Sequence, residues 1–151
     1  MALKKFNELY AVDISSEVKK KPTFKRDAGK YVKMPEKYWL DYLEWATVVV
    51  LLHKHGAESV TYGSLRNPDG YPVFGDRNGK NPFVSIWVEI DGKRFEIDFP
   101  VIDGNKAEQE PDQLTIHKAQ QRAFVKAVAI NTGLGLKLWQ KEETTFDEIE
   151  T

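Results

Sequence analysis

Lys118, Arg122 and Lys126 are the residues whose type and spacing most directly suggest chemistry. They recur at i, i+4 and i+8, so a helix would set them in one row with neighbours about 6 Å apart. That interval is comparable to phosphate spacing along a nucleic-acid strand, and fixed cations bind such a polyanion by releasing its counterions. Gln120 and Gln121, on the same helix, can hydrogen-bond sugar or phosphate oxygens. Basic rows are also routine on solvated amphipathic helices, so the spacing alone does not separate a binding face from surface charge. Loop cations Arg66, Arg77 and Lys80, hairpin cations Lys93 and Arg94, and Lys137 beyond the helix could extend a basic groove. Each of these taken singly reads equally as surface charge. Tyr71, Phe74, Trp87 and Trp139 are candidate platforms for stacked bases, although aromatics in a chain of this size more often belong to the core.

Catalytic readings find less support. His53 and His55 are two apart on an expected helix and point to different faces, which makes them a poor metal pair. His117 stands alone. Asp91-Gly92-Lys93, with Asp76 or Asp69 as an earlier acid, could form the acid and lysine element of a metal-dependent nuclease. Asp91-Gly92 is better explained as a turn. Gly133-Leu134-Gly135 lacks the Lys-Ser/Thr of a phosphate loop and follows a helix instead of opening one. The expected cofactor set is empty.

The elements that must position the basic row can be read from turn chemistry and pattern. Asp91-Gly92 is a preferred two-residue hairpin turn, because both positions must tolerate positive φ. A turn there pairs Ile90 with Lys93, Val88 with Phe95, Ile86 with Ile97 and Val84 with Phe99 on one, largely apolar face. The other face pairs Glu89 with Arg94, Trp87 with Glu96 and Ser85 with Asp98, and is polar and acidic. Ser59 to Leu65 is a further strand. The turn-rich stretch from Arg66 to Pro82 leaves room for a brief strand at Val73-Phe74. Asp112 is a candidate N-cap for the helix carrying the basic row, which runs to about Thr132 and stops at Gly133. Ile116, Ala119, Ala123, Ala127 and Ile130 make its buried side. Leu134 to Trp139 then leaves as an extended or turning segment. Near the other end, Tyr38 to His55 reads as a helix with Gly56 as its terminator. The fold class is therefore α+β: an antiparallel sheet of three or more strands backed by a long C-terminal helix, with an N-terminal helix.

The chain has 151 residues, no cysteine and a formal net charge of -1. That length accommodates one domain with a substantial core. The absence of cysteine excludes disulfides and thiolate metal sites. Ala46 to Leu52 is too short to span a membrane, and the first residues lack the apolar stretch of a signal peptide. A cytoplasmic protein without a membrane partner is expected. The charge is uneven. Residues 1–37 hold ten Lys/Arg against five Asp/Glu, whereas residues 140–151 hold one Lys against five acids. Three regions are expected: a basic, loosely structured segment over 1–37, a core domain over 38–139 and an acidic, disordered tail over 140–151.

Four segments resemble a known family in its own order. Tyr42-Leu43-Glu44-Trp45-Ala46, Phe99-Pro100-Val101-Ile102-Asp103-Gly104-Asn105-Lys106-Ala107, Gln121-Arg122-Ala123-Phe124-Val125-Lys126-Ala127-Val128-Ala129 and Gly133-Leu134-Gly135-Leu136 resemble elements of the phage single-strand annealing proteins of the Rad-fifty-two-like branch, Sak-three type. The resemblance spans about Tyr42 to Trp139. It implies a β-β-β-α core, assembly into rings or filaments, and a basic groove that holds single-stranded DNA with its bases exposed. It also implies annealing without ATP in phage recombination, inside the infected or lysogenic host cell. Arg122 and Lys126 stand at the family's basic helix positions, so the resemblance gives them a DNA-binding role. A host or phage single-strand binding protein is a candidate partner. Glu44 departs from the family's usual small polar residue, and the chain as a whole is not basic. Alternatives are a protein that protects single strands without annealing them, the nuclease above, and an adaptor that binds no DNA. The acidic tail could recruit a replication protein or cover the groove until DNA displaces it.

Overall fold

Asp91 and Gly92 both take positive φ, 49° and 85°, and the hairpin they close has the register their position predicts. Strand β6 (Phe83–Ile90) pairs antiparallel with β7 (Lys93–Pro100), with Val84 opposite Phe99, Ile86 opposite Ile97 and Val88 opposite Phe95. On the other side of β6 lies β5 (Val60–Ser64), also antiparallel. The computed structural model describes residues 2–75, 78–103 and 106–150.

The apolar face of this sheet packs on helix α3 (Gln113–Thr132). Asp112 caps the helix: its carboxylate accepts from the Thr115 backbone N–H at 2.8 Å. Gly133 ends it in the left-handed region at φ 88°, and a Cβ there would lie 2.7 Å from the Phe6 carbonyl oxygen. Glycine is thus needed at Gly133 for backbone conformation and for space. Ala119, Ala123 and Ala127 are buried against the sheet, together with Phe124 and Val128. Small side chains let the helix approach the strands closely. Ile130, expected on the buried side, is exposed, because the buried arc near the end of the helix runs through Val128, Ala129 and Thr132 instead.

Helix α2 (Trp45–Lys54) begins later than the pattern predicts. A 3-10 turn over Glu36–Tyr38 and strand β4 (Leu40–Tyr42) occupy the first part of the expected helix. Leu40 and Leu43 are buried and fit a helical period, but β4 pairs with β1 (Lys19–Lys21), Lys21 standing opposite Leu40 and Lys19 opposite Tyr42. A partner twenty residues away in sequence decided against the helix.

The N-terminal segment is also more ordered than its composition suggests. Helix α1 (Phe6–Tyr10) sends Leu9 into the main core, where it is 1% exposed. Strands β2 (Phe24–Asp27) and β3 (Lys30–Lys33) form a separate two-stranded hairpin. After Val101, short strands β8 (Ile102–Asp103) and β9 (Lys106–Ala107) pair. Beyond Gly135 the chain turns into helix α4 (Leu136–Glu150), where an extended segment and a disordered tail were expected. Leu138 and Trp139 pack against the core and anchor its first turn. Val73-Phe74 contributes only a single bridge, Phe74 to Phe83.

Candidate nucleic-acid interface

The exposed edge of α3 faces a cleft of about 660 Å³ between the β1–β4 pair, the start of α2 and helix α4. Lys118, Gln121 and Arg122 line it from α3, Lys20 and Lys21 from β1, and Tyr42 and Trp45 from the β4–α2 junction. Lys126 stands one turn beyond Arg122 and shares its surroundings. The Arg122 guanidinium lies 5.7 Å from the Phe99 ring and 5.4 Å from the Trp139 ring, and the Lys126 ammonium lies 5.7 and 5.5 Å from the same two rings. Phe99 and Trp139 meet edge to face at 6.3 Å. Their negative faces offset the repulsion between two neighbouring cations and hold both side chains in place.

Acids are interleaved with these cations. Arg122 donates to Glu142 of α4 at 2.8 Å, in a half-buried contact. Asp41 accepts from Lys20 at 3.0 Å and also pairs with Lys141 of α4. Burial pushes the Asp41 carboxyl up, but the hydrogen bonds from Lys141 and Lys20 outweigh it, so its pKa lies below the usual carboxylate value. Lys19 pairs with Glu44 at 2.8 Å; that hydrogen bond raises the Lys19 pKa. Helix α4 is therefore clamped over one side of the cleft by Arg122–Glu142 and Lys141–Asp41.

The other candidate cations are dispersed. Arg94 lies on the sheet face turned away from α3, 5.0 Å above the Trp87 ring and 3.3 Å from Glu96. Lys93 is exposed beside the hairpin turn. Arg66 donates to the Gly70 carbonyl at 2.9 Å and staples its own loop. Lys80 is exposed in the loop before β6. Lys137 lies 4.9 Å from the Tyr10 ring, at the α1–α4 contact. Arg77 lies outside the described residues. Gln120 does not face the cleft; it donates to the Ser64 hydroxyl at 2.7 Å and ties α3 to β5. Gln121 lies 3.1 Å from the His117 ring nitrogen. Of the aromatics, Phe74 stacks on Phe83 and Tyr71 is exposed on its loop.

Composition and spacing overlooked Lys20, Lys21, Tyr42 and Trp45. The triple lysine at 19–21 was visible as charge, but only strand pairing brings it opposite α3. Tyr42 and Trp45 were already marked by the family-like segment that contains them.

Asp91 has a structural task. Its carboxylate accepts from the backbone N–H groups of Glu58 and Ser59 at 2.9 and 2.8 Å, closing the turn onto the entry to β5. Among the described residues, no group of three or more His, Cys, Asp or Glu could hold a metal ion. Nor is any helix among them long and apolar enough to cross a membrane.

The sequence profile of the Sak Single Strand Annealing Protein family matches residues 4–149, nearly the whole chain. The chain belongs to the Sak family. That membership implies single-strand annealing in phage recombination, and it extends the likeness seen over Tyr42 to Trp139 to both ends of the chain. No curated protein and no solved structure gives a significant match. Sak proteins are generally non-catalytic annealing proteins that bind single-stranded DNA. In this member Arg122 lines the cleft bounded by α3, α4 and β1–β4, and Lys126 lies one turn further along α3 over the same Phe99 and Trp139 rings.

Proposed function

We propose that this Sak protein binds single-stranded DNA along the α3 side of the cleft and anneals complementary strands without ATP or metal. The observation that carries this reading is the grouping of Lys118, Gln121 and Arg122 with Lys20, Lys21, Tyr42 and Trp45 around one cleft, Lys126 following in the same row. Lys118, Arg122 and Lys126 neutralise successive phosphates and release counterions, which makes binding salt-dependent. Tyr42 and Trp45, each 39% exposed, offer π-faces to bases at the cleft mouth. A backbone held this way leaves base edges free to pair. One protomer contributes few contacts, so a homo-oligomeric ring or filament lines up many weak sites on one strand and gains affinity by avidity. A duplex no longer fits the single-strand cleft and is released. A host or phage single-strand binding protein is the natural competitor and partner.

Two complementary fluorescent oligonucleotides, mixed without ATP or metal, test the reading. Wild-type protein is expected to accelerate annealing. Arg122→Ala/Lys126→Ala is expected to lose that acceleration while keeping its oligomeric state. No acceleration by wild type at low salt, across protein concentrations, would overturn the reading; slowed pairing would instead indicate strand protection.

A further inference from the structure

Strands β2 and β3 make a hairpin whose eight residues are all exposed. An isolated two-stranded hairpin is marginally stable in water, and this one presents Phe24 at 53% exposure and Tyr31 at 64%. By register, Phe24 stands opposite Lys33 and Arg26 opposite Tyr31. Alternation puts these four on one face, which carries two aromatics, two cations and no acid. The hairpin as a whole has four cations, Lys25, Arg26, Lys30 and Lys33, against Asp27. Such a surface calls for a partner that is acidic at its rim and aromatic at its centre.

The same chain carries that complement elsewhere. The face of the β5–β6–β7 sheet turned away from α3 holds Glu89, Glu96 and Asp98 around Trp87. The Trp87 indole lies flat across Gly63, where a Cβ would stand 2.8 Å from the ring. Arg94 stacks 5.0 Å above the same ring and donates to Glu96 at 3.3 Å, so three acids surround one cation–aromatic pair. Glu96 and Asp98 are two residues apart on β7, about 7 Å. Arg26 and Lys33 are diagonal neighbours on the hairpin, about 7–8 Å apart. The spacing and signs of the two patches match.

We propose that the β2–β3 hairpin is an assembly arm that docks on the acidic sheet face of a second copy of this chain. Arg26 and Lys33 meet Glu96 and Asp98, and Phe24 and Tyr31 cover the Trp87–Arg94 stack. A patch and its complement at two different places on one chain join head to tail, and such contacts generate rings or filaments. This rests on the reading of the protein as a homo-oligomer and names the surfaces that build it.

Light scattering on the full chain tests the arm by charge exchange. Arg26→Glu/Lys33→Glu and, separately, Glu96→Lys/Asp98→Lys are each expected to reduce the assembly toward the 17.4 kDa protomer. The four substitutions combined are expected to restore its mass, which also shows that the altered chains fold. Because the chain has no cysteine, Arg26→Cys/Glu96→Cys is expected to give an oxidative ladder of multimers, and either substitution alone no more than dimers. An assembly whose mass ignores both reversals, or is not restored by the combination, would overturn the arm while leaving oligomerisation by another surface. A wild type that anneals as a monomer would overturn the arm and leave the DNA reading standing. Hairpin reversal that weakens binding of a short oligonucleotide without changing assembly mass would overturn the arm and make nucleic acid its partner. Assembly restored by charge exchange in a protein that does not anneal would uphold the arm while the annealing reading fell.

Discussion

The Arg122 guanidinium donates to the Glu142 carboxylate at 2.8 Å across the α3–α4 contact. Glu142 thus already makes the bond that a phosphate would make, and a strand entering the cleft must displace it. Glu142→Gln keeps the shape and removes the competing charge. It should tighten single-strand binding roughly fivefold at low salt, corresponding to about 1 kcal/mol. Fluorescence anisotropy with a labelled oligonucleotide checks this; equal affinities would mean that Glu142 and DNA do not compete.

The salt dependence of binding counts the phosphates engaged. On single strands each neutralised phosphate contributes about 0.7 to the slope of log K against log salt. Arg122→Ala should lower the slope by about that amount, and Arg122→Ala/Lys126→Ala by about twice it. A titration across salt concentrations that leaves the slopes unchanged would remove these two residues from the contact.

Leu9 is 1% exposed inside the main core, although it belongs to a segment whose composition reads as loose. Leu9→Ala should cost about 2–5 kcal/mol of unfolding free energy, the usual range for a buried leucine. Urea denaturation measures it. A loss below about 0.5 kcal/mol, the scale of a surface substitution, would show that α1 does not contribute to the folded core.

Asp41 binds Lys20 of β1 and Lys141 of α4, and these bonds lower its pKa against the opposing effect of burial. A carboxylate with a depressed folded pKa adds stability at pH above its unfolded value, about 3.9. That stability is lost as pH falls through the folded value. Wild type should therefore exceed Asp41→Asn in stability at pH 7, and the gap should narrow as pH falls below the unfolded value and close once the folded carboxyl is protonated in acid. Chemical denaturation at both pH values follows the difference; a gap that persists in acid would assign the effect to packing and not to charge.

Much of the sheet and its covering helix was legible in local chemistry. Asp91-Gly92 set the turn, and with it the register of every β6–β7 pair, because a two-residue turn leaves no freedom to slip. Asp112 and Gly133 marked the ends of α3 through the backbone groups that a helix leaves unpaired. The basic row was visible because helical spacing is a property of sequence alone, and the family-like segments singled out Arg122 and Lys126.

Tertiary structure decided what that row faces. Leu40 and Leu43 satisfy a helix and the β4 end equally well; pairing with β1 selected the strand and carried Lys20 and Lys21 to the cleft. Gly133 and Gly135 read as an exit, but Leu138 and Trp139 found buried surface that only the assembled core presents, and α4 formed upon it. The same packing set Glu142 beside Arg122 and Lys137 beside Tyr10, and left Arg66 and Arg94 to local partners. Periodicity and turn chemistry act over a few residues and survive in the sequence, whereas the sign and shape of a cleft arise from elements far apart in the chain, whose meeting depends on the burial available once they pack.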